Sequence, residues 1–180
     1  MKKMKIKLLT VIAIMSLSGL AQKGKMFPPI EGLTLEGKTI KIPIPNGKET
    51  VVAMVFQRSA EDDQKKWLNP LHSTFASKEK SKSPHDMTES YDVNFVYIPV
   101  IGGIKKIVTE YKEGTDKGFW PYIMDTDKTD MKLMAKNMGI SDKEQPYIFV
   151  LDKNGKILEV QSGKFSEDKM DKIEEACGGD

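Results

Sequence analysis

The feature that most constrains this chain is an uninterrupted apolar run, Val51-Val52-Ala53-Met54-Val55-Phe56, with polar residues directly after it. Six apolar residues without alternation are typical of a strand that is buried on both faces of a sheet. Ser59 is suited to capping a helix, and Glu61 and Asp62 would lie near the positive end of its dipole. The run therefore predicts a central strand that leads into a helix. The connecting loop would lie at the strand's carboxyl end, where α/β proteins place their sites.

The other apolar patterns predict an α/β fold around this strand. Stripes at helical spacing predict three more helices, around 104–111, 131–138 and 170–177, and Gly114 and Gly139 would end the first two. Pro70 is predicted to kink or end the helix that begins near Ser59, and 78–92 is predicted to be a solvated loop. The other predicted strands are 33–35, 39–42, 93–100, 121–125, 146–151 and 156–160, the last two joined by an Asn-Gly turn.

The first 21 residues have the three parts of a secretory signal peptide: early lysines, an apolar segment from Leu8 to Leu20, and small residues at Gly19-Leu20-Ala21. Cleavage is predicted near Gln22, which leaves 22–180 as a single domain without a membrane span. Removing the signal leaves 24 of the 28 basic residues against all 26 acidic ones. This balance gives no electrostatic case for a nucleic-acid partner. The predicted location is outside the cytoplasm, in the periplasm or secreted.

Three segments in order resemble the thioredoxin-like superfamily, and in particular its exported peroxiredoxin and TlpA-type branch. Leu33–Thr39 resembles the strand pair that precedes the core strand in that family, and Val51–Phe56 resembles the core strand itself. Gln145–Ile157 resembles the cis-proline strand and the hairpin that follows it. The resemblance extends over about residues 25–176. It implies a thioredoxin-like fold, a central mixed sheet flanked by helices, and a cis peptide bond between Gln145 and Pro146.

The chain departs from this family at the position that carries its chemistry. The resemblance places a nucleophilic cysteine, often in a Cys-x-x-Cys motif, at the start of the helix after the core strand. Here that loop is Gln57-Arg58-Ser59-Ala60-Glu61-Asp62-Asp63, which contains no sulfur. Cys177 is the only cysteine of the chain, so no internal disulfide can form. Ser59 has no histidine placed by sequence to activate it and is interpreted as a helix cap.

Arg58, the only arginine of the chain, is the most informative polar residue of this loop. A guanidinium recognises carboxylates and phosphates through two parallel hydrogen bonds. Arg58 would either hold a ligand there or pair with Glu61 or Asp62. The candidate binding residues are Arg58 and Ser59 in this loop together with Gln145 and Pro146, beside which an extended partner peptide could pair as a strand.

Other residue patterns have ordinary structural interpretations. The methionine stripe at 131, 134 and 138 has soft ligands for copper(I) but is interpreted as core packing. Asp125, Asp127 and Asp130 lack the glycine and glutamate of a calcium loop. His72 and His85 are interpreted as surface residues. No metal ion or cofactor is predicted.

Two functions remain open from the sequence. The first is a binding, chaperone-like or scaffold protein of the cell envelope that holds a protein or peptide partner and has no redox-active cysteine pair. The second is a thiol-disulfide oxidoreductase or peroxiredoxin-related antioxidant enzyme that acts through Cys177 or through the thiols of a partner. The absence of cysteine at the helix start favours the first.

Overall fold

The architecture is that of a computed structural model, which describes residues 22–76, 91–100 and 105–178. The predicted signal peptide, His85 and most of the predicted loop at 78–92 lie outside these residues. The described strands are β1 (Ile30–Thr34), β2 (Thr39–Ile42), β3 (Thr50–Met54), β4 (Asn94–Ile98), β5 (Met124–Asp125), β6 (Tyr147–Leu151) and β7 (Ile157–Ser162). The described helices are α1 (Glu61–Phe75), α2 (Lys105–Glu113), α3 (Lys128–Asn137) and α4 (Glu167–Cys177).

The main sheet is mixed and has the order β4-β3-β6-β7. The apolar run forms β3, every residue of which is buried, because the strand has a neighbour on both sides and a layer on both faces. β3 runs parallel to β4 and antiparallel to β6, and β6 is antiparallel to β7. A mixed sheet flanked by helices confirms the predicted fold class.

A second, smaller sheet of order β2-β1-β5 packs beside the first. It joins the main sheet where the Tyr97 amide donates to the Tyr122 carbonyl at 2.8 Å. The strand predicted at 121–125 is shorter than expected, because Tyr122 turns back and donates its amide to Phe119. Its partner β1 lies far away in the sequence, so local patterns could not reveal this pairing.

The two faces of the main sheet carry separate halves of the core. On one face the side chains of β3 and β6 pack against α3, in which Met131 and Met134 are buried, and against Met138, which directly follows that helix. The other face is covered by α1, through Trp67 and Leu71, and by α4. The methionine stripe is therefore core packing, as predicted.

The start of α1 differs from the prediction, because Ser59 is not its cap. A cap residue needs extended backbone, whereas Ala60, directly before the helix, already has right-handed helical angles (φ −89°, ψ −7°) and makes no side-chain cap. The chain enters the helix through a 3-10 turn, Arg58–Ala60, and the extended residue is Gln57. Ser59 lies inside that turn with its side chain exposed.

Pro70 does not end α1, which continues to Phe75. A proline inside a helix costs about 3 kcal/mol, since it removes one hydrogen bond and crowds the preceding turn. The large side chains of Trp67, Leu71 and Phe75 are buried along the same helix face. Each contributes about 1.5–3 kcal/mol of burial, which offsets that cost.

The expected cis bond at Gln145–Pro146 is also a correction. Among the described residues the cis peptide bond is Ile42–Pro43, and Gln145–Pro146 is trans. The cis expectation came from the family resemblance alone. Trans is the lower-energy isomer of an X–Pro bond by about 0.5–1 kcal/mol, and in this form the Pro146 carbonyl accepts a 2.9 Å hydrogen bond from the Gly163 amide.

Candidate functional site

The candidate site lies at the carboxyl end of β3, in the turn that leads into α1. Gln57, Arg58 and Ser59 are exposed there, whereas Ala60 is buried beneath them. The turn is held from below by Gln64, a fully buried residue of the first helical turns. Its amide nitrogen donates to the carbonyls of Ala53 and Ile98, both at 3.1 Å. α1 is thereby fixed to the ends of two parallel strands, which sets the position of the loop above it.

The segment before β6 lies at the same end of the sheet. In the strand register Tyr147 is opposite Met54, so Gln145 and Pro146 extend beyond that pair toward the loop. The rings of Phe56 and Tyr147 meet edge to face, with centroids 5.9 Å apart. The topology therefore brings Arg58 and Ser59 to the same end of the sheet as Gln145 and Pro146, although they are distant in sequence.

Pro146 itself is less available to a partner than the sequence suggested. It is buried, and its carbonyl is already bonded to Gly163. The Gly163 carbonyl in turn accepts a 2.9 Å hydrogen bond from the Trp67 indole nitrogen, which ties this segment to α1. Pro146 thus has a structural role, while the accessible part of the segment is its neighbour Gln145.

Gln145 is half-buried, and its side-chain nitrogen donates to the Tyr147 hydroxyl at 3.3 Å. That hydroxyl donates to the Asp142 carbonyl at 2.7 Å. Within the described part of the chain, the backbone amide and carbonyl of Gln145 make no hydrogen bond. One donor and one acceptor are therefore free to pair with an extended partner chain.

The charge of Arg58 is not neutralised by an ion pair with any described residue. Asp62 lies 3.6 Å from the ammonium of Lys65 instead, and Asp63 lies 2.7 Å from that of Lys66. Glu61 is close enough to Arg58 for the guanidinium charge to lower the pKa of its carboxyl. Burial nevertheless raises the pKa of the Glu61 carboxyl, despite the opposing effects of Arg58 and of a hydrogen bond from the Val100 backbone. The site thus has an exposed guanidinium near a partly buried carboxyl whose pKa is raised.

Lys169 is a neighbour of the candidate site that the sequence did not indicate. Its ammonium donates to the carbonyls of Ser162 and Lys164, both at 2.8 Å, and burial lowers the pKa of this lysine. A methyl group built on Gly163 would lie 3.5 Å from that ammonium and 3.2 Å from the Gln145 side-chain oxygen. Lys169 therefore borders the Gln145 segment. No local pattern shows this, because α4 reaches the site through the fold.

Cys177 is far from this site and has the wrong chemistry for it. Burial raises the pKa of its thiol to about 12, and the nearby Glu49 and Glu174 add to the effect. A thiol with this pKa is protonated at neutral pH and is a poor nucleophile. Glu49 directly precedes β3, whereas Arg58 follows its other end, and five strand residues span roughly 17 Å.

The remaining candidates give no metal site among the residues described. No group of three or more histidine, cysteine, aspartate or glutamate side chains is placed to hold a metal ion there. His72 is only partly exposed, because its ring packs edge to face against Phe119 and Tyr122, with ring centroids 4.5 and 5.2 Å apart. Among the described helices, none is both long and apolar enough to cross a membrane.

No protein-family model and no curated protein sequence matches the chain, but solved structures do. The thioredoxin domain of a thiol-disulfide oxidoreductase from Bacteroides vulgatus matches with TM-score 0.60 and 18% identity, over 87% of this chain and 98% of that one. A thiol:disulfide interchange protein of the thioredoxin family from Chlorobium tepidum matches with TM-score 0.55 and 19% identity, over 86% and 97%.

A thiol:disulfide interchange protein from a Bacteroides species is a third match, with TM-score 0.52 and 18% identity over 87% of this chain and 91% of that one. At these identities the likeness concerns the fold. The chain therefore has a thioredoxin-like fold, similar to that of thiol-disulfide oxidoreductases, and it has no cysteine pair.

Proposed function

We propose that this protein is an exported binding or scaffold module that uses the thioredoxin-like fold without its redox chemistry. Its partner is a protein or peptide of the cell envelope that has an extended segment and an anionic group. The extended segment pairs with the free backbone groups of Gln145, and the anionic group meets Arg58. Export rests on the three-part pattern of residues 1–21.

The observation that carries this proposal is the state of Arg58. It is exposed, has no ion-pair partner among the described residues, and lies at the start of a 15-residue helix whose dipole adds about half a positive charge. Two acids that could have neutralised it are paired with lysines. An arginine in this setting is suited to hold a carboxylate or phosphate through two hydrogen bonds.

The enzyme alternative is supported by the names of the similar structures, which are thiol-disulfide oxidoreductases. The number of cysteines argues against an enzyme function. Formation of an intramolecular disulfide needs two thiols, and this chain has Cys177 alone. A reaction at Cys177 would proceed through a protonated, half-buried thiol, so the binding function is the better supported of the two.

The test compares partner capture by three forms of the protein. Wild type, Arg58→Ala and Lys132→Ala are immobilised and exposed to envelope extract from the native cell, and captured proteins are quantified by mass spectrometry. Lys132 is an exposed cation on α3, which packs on the other face of the sheet from α1, so its variant controls for loss of one positive charge.

We expect Arg58→Ala to reduce capture of a specific partner at least tenfold, which corresponds to about 1.4 kcal/mol, with an unchanged melting temperature. Lys132→Ala should capture that partner as well as wild type does. If all three proteins capture the same partners equally, Arg58 has no binding role and the proposed site is wrong.

A further inference from the structure

Gln22 is anchored in the fold in an unusual way for a residue at the start of a domain. It is only 2% exposed, and its side-chain nitrogen donates to the Met138 carbonyl at 3.3 Å. Its own carbonyl accepts from the Lys25 amide, and the next residues follow the edge of the main sheet through a 2.8 Å hydrogen bond from Gly24 to Ile157. Gln22 is thus bonded to the residue that follows α3, and the chain directly after it is bonded to β7.

This position coincides with the cleavage site predicted from Gly19-Leu20-Ala21. Cleavage after Ala21 would leave a free amine on the buried Gln22. A terminal amine has an ordinary pKa near 8 and is largely charged at neutral pH. Burial disfavours the charged form, and a charge without a partner in such a place is costly. The folded protein would therefore favour any reaction that removes this charge.

Glutamine is a residue whose side chain can react with its own terminal amine. We propose that Gln22 closes to a pyroglutamate lactam after export has removed residues 1–21, an inference that rests on the proposed export. In this step the Gln22 nitrogen forms a bond to Cδ of its own side chain. The Cδ–Nε2 bond breaks, a proton passes from the attacking amine to Nε2, and ammonia leaves. No oxidant, reductant or co-reactant is required.

The burial of Gln22 favours an uncharged product. The neutral amine is the nucleophile, so the burial that penalises the ammonium also raises the reactive fraction. The lactam is uncharged and keeps one N–H donor, on its ring nitrogen. Nε2, which donates to the Met138 carbonyl in the linear form, leaves as ammonia, so the ring N–H has to replace it at that carbonyl. The Gln22 side-chain oxygen is already buried without a hydrogen-bond partner among the described residues, so ring closure costs no hydrogen bond at that atom.

The test is an intact-mass and N-terminal sequencing measurement on protein recovered from the envelope of cells that express the full chain. The matched control is Gln22→Asn. Its side chain is one methylene shorter and would have to close a four-membered ring, so it should stay linear while leaving Ala21 and the cleavage site unchanged. Wild type should have the mass of residues 22–180 less one ammonia and should resist Edman degradation. Gln22→Asn should have its full linear mass and an open N-terminus.

The outcomes separate the two proposals. Wild type that starts at Gln22 with a free amine overturns the lactam while leaving export intact. A chain that is uncleaved, or that starts elsewhere, overturns the export proposal and the lactam with it. Loss of ammonia in Gln22→Asn as well places the modification at another residue and also overturns the lactam.

Discussion

At the residue scale, the site has a fixed positive charge and contains no sulfur. Arg58 projects from a turn that Gln64 fixes to the ends of β3 and β4. A guanidinium stays charged at every physiological pH, so anion binding at this loop should depend on salt concentration more than on pH. The nearby Glu61 carboxyl, whose pKa burial raises, competes with a bound anion only when it is ionised.

The sequence showed which residues form the loop, but it predicted the role of each residue only in part. Arg58 is exposed, as its place after an apolar strand suggested. Ser59 was assigned a capping role from its residue type, yet the 3-10 turn places the extended backbone at Gln57 instead. Lys169 reaches the site through the packing of α4, which no local pattern encodes.

His72 gives a residue-scale prediction about pH. Burial against aromatic rings lowers the pKa of His72 below its ordinary value, and Asp116 opposes the effect only in part. The unfolded chain therefore binds a proton more readily than the folded one. The stability from neutral His72 is present above the unfolded pKa, near 6.5, and is lost as pH falls below it toward the folded value.

The measurement is the free energy of unfolding of wild type and His72→Gln from urea titrations at several pH values between 8 and 5. Wild type should be the more stable protein at pH 8, and its advantage should shrink as the solution is acidified. A constant difference across that range would show that His72 does not change its protonation on folding.

At the element scale, strands and helices follow from local patterns, whereas their pairing does not. Apolar runs located β3, β4 and β6, and helical stripes located α2, α3 and α4. The second sheet arises from the pairing of β1 with β5, in which Thr34 lies opposite Met124. Gly32 permits this close approach, since a methyl group there would lie 2.2 Å from the Asp125 carbonyl oxygen.

The turn between β6 and β7 gives an element-scale prediction. Gly155 has φ +86°, and a methyl group on it would lie 2.1 Å from Cγ of Pro43. Gly47 has a similar φ of +78° but nothing within 4 Å of the same position, so it is a matched control. Gly47→Ala should cost about 1–2 kcal/mol from the left-handed backbone alone. Gly155→Ala should cost a further ~1–3 kcal/mol from overpacking against Pro43.

Urea denaturation of the two variants checks this prediction, because equal m-values allow their midpoints to be compared directly. Equal losses of stability in the two variants would mean that the turn relaxes away from Pro43 at no cost, and that the contact does not help to fix the β6–β7 hairpin.

At the scale of the whole molecule, the fold is similar to that of thiol-disulfide oxidoreductases, whereas the chain has a single cysteine. The order of strands and helices could be predicted from the sequence, because many residues contribute to each element. The only thiol lies beyond the amino end of β3, near Glu49, while the candidate site lies beyond its carboxyl end. Binding residues are few and their partner is not encoded in the fold, so the ligand could not be predicted in the same way.

The most direct test of the central claim is insulin reduction by the purified mature chain in the presence of dithiothreitol, with Cys177→Ser as the matched variant and a dithiol thioredoxin as the positive control. Since a single protonated thiol cannot complete a dithiol–disulfide cycle, both forms of this protein should give the rate of dithiothreitol alone. Turnover comparable to that of the thioredoxin, in either form of the protein, would contradict the assignment of this fold to binding.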